Sequence, residues 1–315
     1  MYLKMDPYIP CSIRDKNGNI INSNPNTNAI ISAIKNAGFQ HHGLTKFFEA
    51  EKARWEAITT FQLPSKQLYK KLEKSTRNKI NKARRTGIEI IKDQTGDIQT
   101  FYEFVKNKHT RPINYYQALY QSFKEKDAID IYFAKLNTEQ FVINSKDAYE
   151  RVLNQNDHLN NMIQHPPKNN MDIRKIINQK MESDKLVNNY KKDLVLATNL
   201  LKNYPDGMII SAAIVIKYDN AAYLLIEGFN PKYKDKDPNY LLKWKIIEEY
   251  NDKNYKYFNL NAIVGEFQQK NKYSGLNEMK FGFHAVATEY IGEFDLIINP
   301  IMYNLYKGMK KKKNK

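Results

Sequence analysis

Residues 208–216, MIISAAIVI, form a nearly continuous apolar run, and no other stretch limits the possible folds of this chain so tightly. A strand apolar on both faces has to be covered on both, so it belongs in the middle of a sheet with further layers on each side. Residues 221–227 follow across Asp219-Asn220, a pair suited to a tight hairpin, and read as its partner strand. Elsewhere strand-like and helix-like stretches alternate. Residues 2–9, 55–63, 130–136 and 257–260 read as strands, with Asn17-Gly18 a hairpin turn and Pro64 a strand stop. Residues 28–37 read as a helix closed by Gly38, and residues 240–250 as a helix with Leu241, Trp244 and Ile247 on one side. The pattern is that of a mixed α/β protein.

Residues 144–203 break the alternation. Tyr149, Val152, Leu153, Leu159 and Ile163 make one amphipathic stripe, Pro166-Pro167 interrupts it, and a longer stripe runs from Ile173 to Leu201. Two such helices pack as an antiparallel hairpin, the first about 30 Å long for about 20 residues. With ten basic residues against seven acidic ones the segment is close to neutral, which favours a structural or dimer contact over a nucleic-acid surface.

At 315 residues the chain is long enough for two domains with cores of their own. Fifty Lys and Arg against 34 Asp and Glu give a net charge of +16, which points to polyanionic partners: nucleic acid, phosphate-bearing substrates or an anionic membrane surface. The densest positive charge lies in residues 65–92, where Leu68, Leu72, Ile80 and Ala83 make a packing stripe and Gly87 a helix stop. The charged face is either a solvated surface or a contact for phosphates. The single cysteine, Cys11, excludes an intramolecular disulfide and fits a reducing cytoplasm. No run approaches the length of a membrane span, and the first residues lack the layout of a signal peptide, so the expectation is a soluble cytoplasmic protein. The tail GMKKKKNK suits a solubilising end or an electrostatic contact with anionic lipid headgroups.

The motifs of common hydrolases and nucleotide-binding enzymes are missing: no GxSxG, HExxH, CxxC pair or Walker loop. His41-His42 is the only histidine pair, and neighbouring residues on a strand or helix point apart, which is poor metal geometry. Lys280 lies between Met279 and Phe281. A lysine set among apolar groups keeps its charge only if something anionic meets it, which suits a developing oxyanion. The plainer alternative is a surface lysine at a strand end.

Four separated stretches carry a family resemblance. They are YLKMDPYI at 2–9, STRNKINKARRTGIEI at 75–90, PNYLLKWKIIEEYNDKNYKYFNLNAIVG at 238–265 and GLNEMKFGFHAVATEYIGEFDLIIN at 275–299. In this order they resemble the Fem family of non-ribosomal peptidyltransferases, which use aminoacyl-tRNA to build the peptide side branch of bacterial peptidoglycan. The resemblance implies a GNAT-like acyltransferase fold used twice, with a helical arm. Residues 1–60 and 283–315 would form the first domain and basic tail, residues 61–143 and 204–282 the second domain, and residues 144–203 the arm. Further strands and helices are expected before the KMDP strand. The family's oxyanion lysine falls on Lys280, and Met279 stands where relatives usually have phenylalanine. Asp6 matches a carboxylate proposed as a base. Arg111 with Tyr115, four positions on, matches a pair at the substrate's phosphates, where a guanidinium suits paired acceptors; Tyr240 is a further substrate-side residue.

The implied reaction moves an amino acid from aminoacyl-tRNA to a side-chain amine of lipid II or a UDP-MurNAc-pentapeptide. The ester is already activated, so no cofactor and no metal is expected. Implied partners are aminoacyl-tRNA, the peptidoglycan precursor, a peripheral contact at the inner membrane face and an oligomer contact through the arm. The alternatives are a non-catalytic tRNA- or nucleic-acid-binding protein and an acetyl-coenzyme-A-dependent enzyme, for which no Gly-rich pyrophosphate loop is visible.

Overall fold

Local chemistry sets the boundaries of the elements in the computed structural model, which describes residues 1–107, 111–166 and 173–313. β1 (Tyr2–Met5) stops at Asp6-Pro7, short of the expected residue 9, because proline cannot donate to a ladder. The chain resumes as β2 (Pro10–Arg14) and turns through Gly18, at φ +87°, into β3 (Ile20–Ser23). α1 (Thr27–Asn36) ends at Gly38, which takes φ +93°, and leads into β4 (Phe39–His41) and β5 (Trp55–Thr60).

The basic segment is two helices, α2 (Ser65–Lys71) and α3 (Lys74–Arg85), and Leu68, Leu72, Ile80 and Ala83 are all buried. β6 (Ile88–Asp93) follows. Asp97 then caps α4 (Ile98–Val105) by accepting from the Thr100 amide at 2.9 Å. Pro112 opens α5 (Ile113–Lys124), and β7 (Ile129–Leu136) comes next.

α6 (Thr138–Gln164) and α7 (Ile173–Asn203) pack against each other. α6 starts before the expected residue 144 because Asn137 caps it, accepting from the Gln140 amide at 2.9 Å. Its 27 residues make it about 40 Å long rather than 30. Pro167, half of the expected break, lies outside the described residues.

The apolar run is β8 (Met208–Tyr218), and Asp219 and Asn220, both at positive φ, turn it into β9 (Ala221–Phe229). α8 (Pro238–Asp252), β10 (Tyr257–Ile263), α9 (Ser274–Phe281), β11 (Val286–Tyr290), β12 (Phe294–Ile297) and α10 (Pro300–Lys313) complete the order. Gly292, at φ +88°, separates β11 from β12. The backbone of the lysine-rich tail is helical through Lys313.

The chain divides into two units. The first comprises residues 1–76, 216–225 and 247–315. Its strands run in the order β3-β2-β11-β5-β10, followed by its parts of β9 and β8, with a separate sheet β1-β12-β4. Neighbours are antiparallel at β2–β3, β2–β11, β11–β5 and β5–β10, whereas β10 and β9 are parallel, so the sheet is mixed. Cys11, Ile291 and Phe294 form a small core with Met5, Ile9, Ile30, Ile31, Ile34 and Phe39.

The second unit comprises residues 77–215 and 226–246. Its strands run in the order β9-β8-β7-β6, with β6 and β7 antiparallel. Ile210 and residues 212–215 are buried, as expected for a strand covered on both faces. α6 and α7 bury Val152, Ile176, Ala197 and Leu200, and the buried Asn156 amide donates to Ser183 Oγ at 3.1 Å and Asp184 Oδ1 at 2.9 Å.

Candidate functional site

The site begins where two parallel strands part. β9 and β10 stay in register through Tyr223 and Asn259. Beyond that point β10 bulges: its register with β5 shifts between Asn259 and Ala262, and Asn261 takes φ +69°. Asparagine tolerates that conformation better than other residues with a Cβ. Its side chain stands in for the lost ladder. Nδ2 donates to the carbonyls of Leu224 at 3.1 Å and Leu225 at 3.3 Å, and Oδ1 accepts from the Ala262 amide at 2.7 Å. Between the strands opens a cavity of about 290 Å³, lined by Tyr8, Lys52, Glu56, Tyr223, Leu224, Leu225, Asn259 and Asn261.

The cavity holds a carboxylate with only uncharged donors. Glu56 on β5 is buried, and its Oε2 accepts from the Tyr8 hydroxyl and, at 2.7 Å, from Asn259 Nδ2. Asn259 Nδ2 also reaches Tyr8 Oη at 2.9 Å, and Tyr290 is stacked on Tyr8 with ring centroids 4.2 Å apart. Burial first, then the Glu56 charge, pushes the phenols of Tyr8 and Tyr290 far above their usual range, so both remain donors. Tyr223 shares a 2.6 Å hydrogen bond with Tyr257, and burial raises its phenol too. Lys52 places its ammonium 4.3 Å from the centre of the Tyr8 ring and 3.5 Å from Asp6 Oδ2, an ion pair without hydrogen-bond geometry. Burial lifts the Asp6 carboxyl above its ordinary value, with Glu293 and Glu56 adding to the rise and Lys52 opposing it.

α9 grips the far end of the bulge. Asn277 donates to the Val264 carbonyl at 2.8 Å and accepts from the Val264 amide at 3.1 Å. One turn on, and so on the same face, the buried Lys280 sends its Nζ to the Ala262 carbonyl at 2.7 Å. Lys280 is thus in the last turn of a helix, which corrects the alternative of a surface lysine at a strand end. The carbonyl that it meets follows Asn261 in the chain. Met279 beside it is half-buried.

Arg111, Tyr115 and Tyr240 lie in the second unit. The Arg111 guanidinium stacks over the Tyr115 ring at 4.7 Å, and Tyr115 is itself exposed. Tyr240, in the first turn of α8, accepts from Lys79 Nζ at 2.8 Å with that ammonium also over its ring, while Lys82 pairs with Asp237 at 3.3 Å. Part of the basic face of α3 is therefore engaged within the unit. His42 Nε2 is 2.7 Å from Asp295 and His41 Nε2 is 2.8 Å from the Ile291 carbonyl; among the described residues no three acidic, histidine or cysteine groups could hold a metal.

Sequence reasoning missed Tyr8, Lys52, Glu56, Tyr223, Asn259, Asn261 and Asn277. A signal existed for three of them. WEAITT and YFNLNAI each carry polar groups in strands of otherwise apolar or β-branched residues, where Glu and Asn are disfavoured.

A model of the FemAB family matches residues 1–311. The chain belongs to the FemAB family. Among its relatives, aminoacyltransferase FemA of Staphylococcus epidermidis is 24% identical over 328 aligned positions, covering 99% of this chain and 75% of that protein. FemB of the same species is also 24% identical, over 100% of this chain and 75% of that protein. The lipid II:glycine glycyltransferase of Staphylococcus haemolyticus is 21% identical, over 89% of this chain and 68% of that protein. The crystal structure of FemX superposes with a TM-score of 0.67 at 18% identity, covering 96% of this chain and 74% of that one, a likeness of fold. Among the described residues of this FemAB chain, no helix is long and apolar enough to cross a membrane.

Proposed function

We propose that this FemAB chain is an acyltransferase of peptidoglycan bridge synthesis. It moves an amino acid from aminoacyl-tRNA to a side-chain amine of lipid II or a UDP-muropeptide. The observation that carries this reading is the buried Lys280 ammonium, held on the Ala262 carbonyl at the end of a bulged strand. Relatives named aminoacyltransferase and lipid II:glycine glycyltransferase support the reaction class.

In this reading the attacking amine forms a C–N bond to the ester carbon, and the carbonyl oxygen takes the negative charge. Lys280 stabilises that oxyanion from a low-dielectric position. The C–O bond to the tRNA ribose then breaks, and the proton lost by the amine ends on the leaving hydroxyl. Asp6 is the proton carrier assigned here, and its raised pKa supports the role. Arg111 stacked on Tyr115, and Tyr240 beside Lys79, are assigned to phosphates of the substrates; a flat guanidinium fork suits that task. Met279 contributes apolar contact at the reacting end. The architecture is read as two GNAT-like domains, and the α6–α7 hairpin as an arm for contacts with RNA or a second copy. A peripheral contact with anionic membrane brings the enzyme to a lipid-linked acceptor.

The test uses purified protein with aminoacyl-tRNA and the muropeptide acceptor. Lys280→Met is expected to slow transfer by roughly 10²–10³-fold with the fold intact. An unchanged rate overturns the assignment. If the wild-type protein retains tRNA on a filter but never consumes the ester, the chain is a binding protein instead.

A further inference from the structure

Buried carboxylates are normally matched by a cation, and Glu56 is not. It is 6% exposed, and among the described residues no lysine, arginine or histidine stands within ion-pairing distance of it. Lys52, which lines the same cavity, is directed to Asp6 and to the Tyr8 ring instead. Tyr8 and Asn259 donate to the carboxylate, but both are neutral, so the negative charge is held in place without being neutralised. A charge kept in that state is costly unless a visiting group completes it. The cavity next to it is open, and at about 290 Å³ it lies at the small end of ligand pockets, enough for the end of a substrate rather than the whole.

From this we infer that Glu56, oriented by Tyr8 and Asn259, is a subsite for the primary ammonium of an amino-acid-type ligand. The inference deepens the transfer reading above and rests on the cavity being where that reaction occurs. Such a reaction brings two primary amines to the protein: the α-amino group of the acyl donor and the attacking amine of the acceptor. The attacking amine must be neutral when it forms its bond, and a carboxylate beside it favours the protonated form. The donor's α-ammonium gains from the same carboxylate without penalty, so it is the occupant assigned. The bulge at Asn261, which parts β9 from β10, makes the room, and Leu224 and Leu225 wall it.

The test is a titration of the wild-type chain with glycinamide, read by NMR at the methyl groups of Leu224 and Leu225. Saturable shifts are expected, with none from propionamide, which has the same size but no charge. Equal shifts from both compounds, or none from glycinamide, overturn the subsite. Glu56→Gln is expected to weaken glycinamide at least tenfold, and Glu56→Asp less; unchanged binding in Glu56→Gln sinks the proposal. In the transfer assay Glu56→Gln should raise KM for the donor and leave KM for the acceptor. The opposite pattern transfers the subsite to the acceptor amine and overturns the donor assignment. Binding is read without turnover, so a protein that binds glycinamide through Glu56 yet transfers nothing leaves the subsite standing and removes the transfer reading.

Discussion

Glu56 and Glu289 occupy neighbouring strands of the same unit, β5 and β11, and both are buried, yet their surroundings are opposite. Glu289 is closed off by charge. Arg54 Nη2 reaches it at 2.6 Å, Arg14 Nη2 at 3.2 Å and Ser12 Oγ at 2.5 Å, while Arg54 spends its other N–H groups on the Tyr290 and Thr45 carbonyls at 2.8 Å each. Burial pushes its carboxyl up, but Ser12 and the two guanidinium groups outweigh that and hold it below the ordinary value. Glu56 has neutral donors and faces a cavity. A buried acid matched inside the chain serves the fold. One left unmatched beside open space is available to a ligand.

The contrast is broken or sharpened most strongly by removing the matching charge. Arg54→Met removes the closer of the two guanidinium groups on Glu289, leaving Arg14 and Ser12, and should cost about 2–3 kcal/mol in urea unfolding. Glu56→Gln should cost no more than about 1 kcal/mol, because a ligand site is held at the expense of stability. If the two costs came out in the reverse order, Glu56 would be the structural acid.

Acidity gives a smaller effect. The folded pKa of Glu289 is below its ordinary value of 4.5, so its contribution is present above that value and disappears as pH falls through the lower, folded one. Stability should therefore decline below about pH 4.5 with a slope from this group of at most about 1.4 kcal/mol per pH unit. The double variant Arg54→Met/Glu289→Gln should show a shallower decline over the same range. An identical slope would mean that other carboxylates set the acid limit. The smallest effect is chemical. Cys11 lies 3.9 Å from Arg54 Nη1, and burial together with the Glu289 charge raises its thiol to about 11. Alkylation by iodoacetamide at about pH 8 should then be more than tenfold slower in the native protein than in urea. Equal rates would show that the pocket around Glu289 opens readily.

Much of the fold was legible from short-range chemistry. Asp219-Asn220 and Asn17-Gly18 marked hairpins, Gly38 and Gly87 marked helix ends, and the apolar run at 208–216 marked a covered strand. The errors came where a neighbour or a cap intervened: Pro7 cut the first strand, and Asn137 started α6 early. The candidate site was less legible. Lys280 stood out by its apolar flanks, but its helix did not, because SGLNEMKF carries no strong periodic face. Glu56, Tyr8 and Asn259 are far apart in sequence and share no spacing that would group them.

Residue order along the chain was enough to establish the alternation of strands and helices, the hairpin positions and membership in the FemAB family, because each depends on local pattern or on motifs kept in sequence. Which acids are matched and which are left facing a cavity came from packing. Strand neighbours bring Glu289 to Arg54 and Glu56 to Tyr8, and a one-residue bulge at Asn261 opens the space beside Glu56. Charge matching is a property of distances between groups remote in the chain, and only the folded sheet sets those distances.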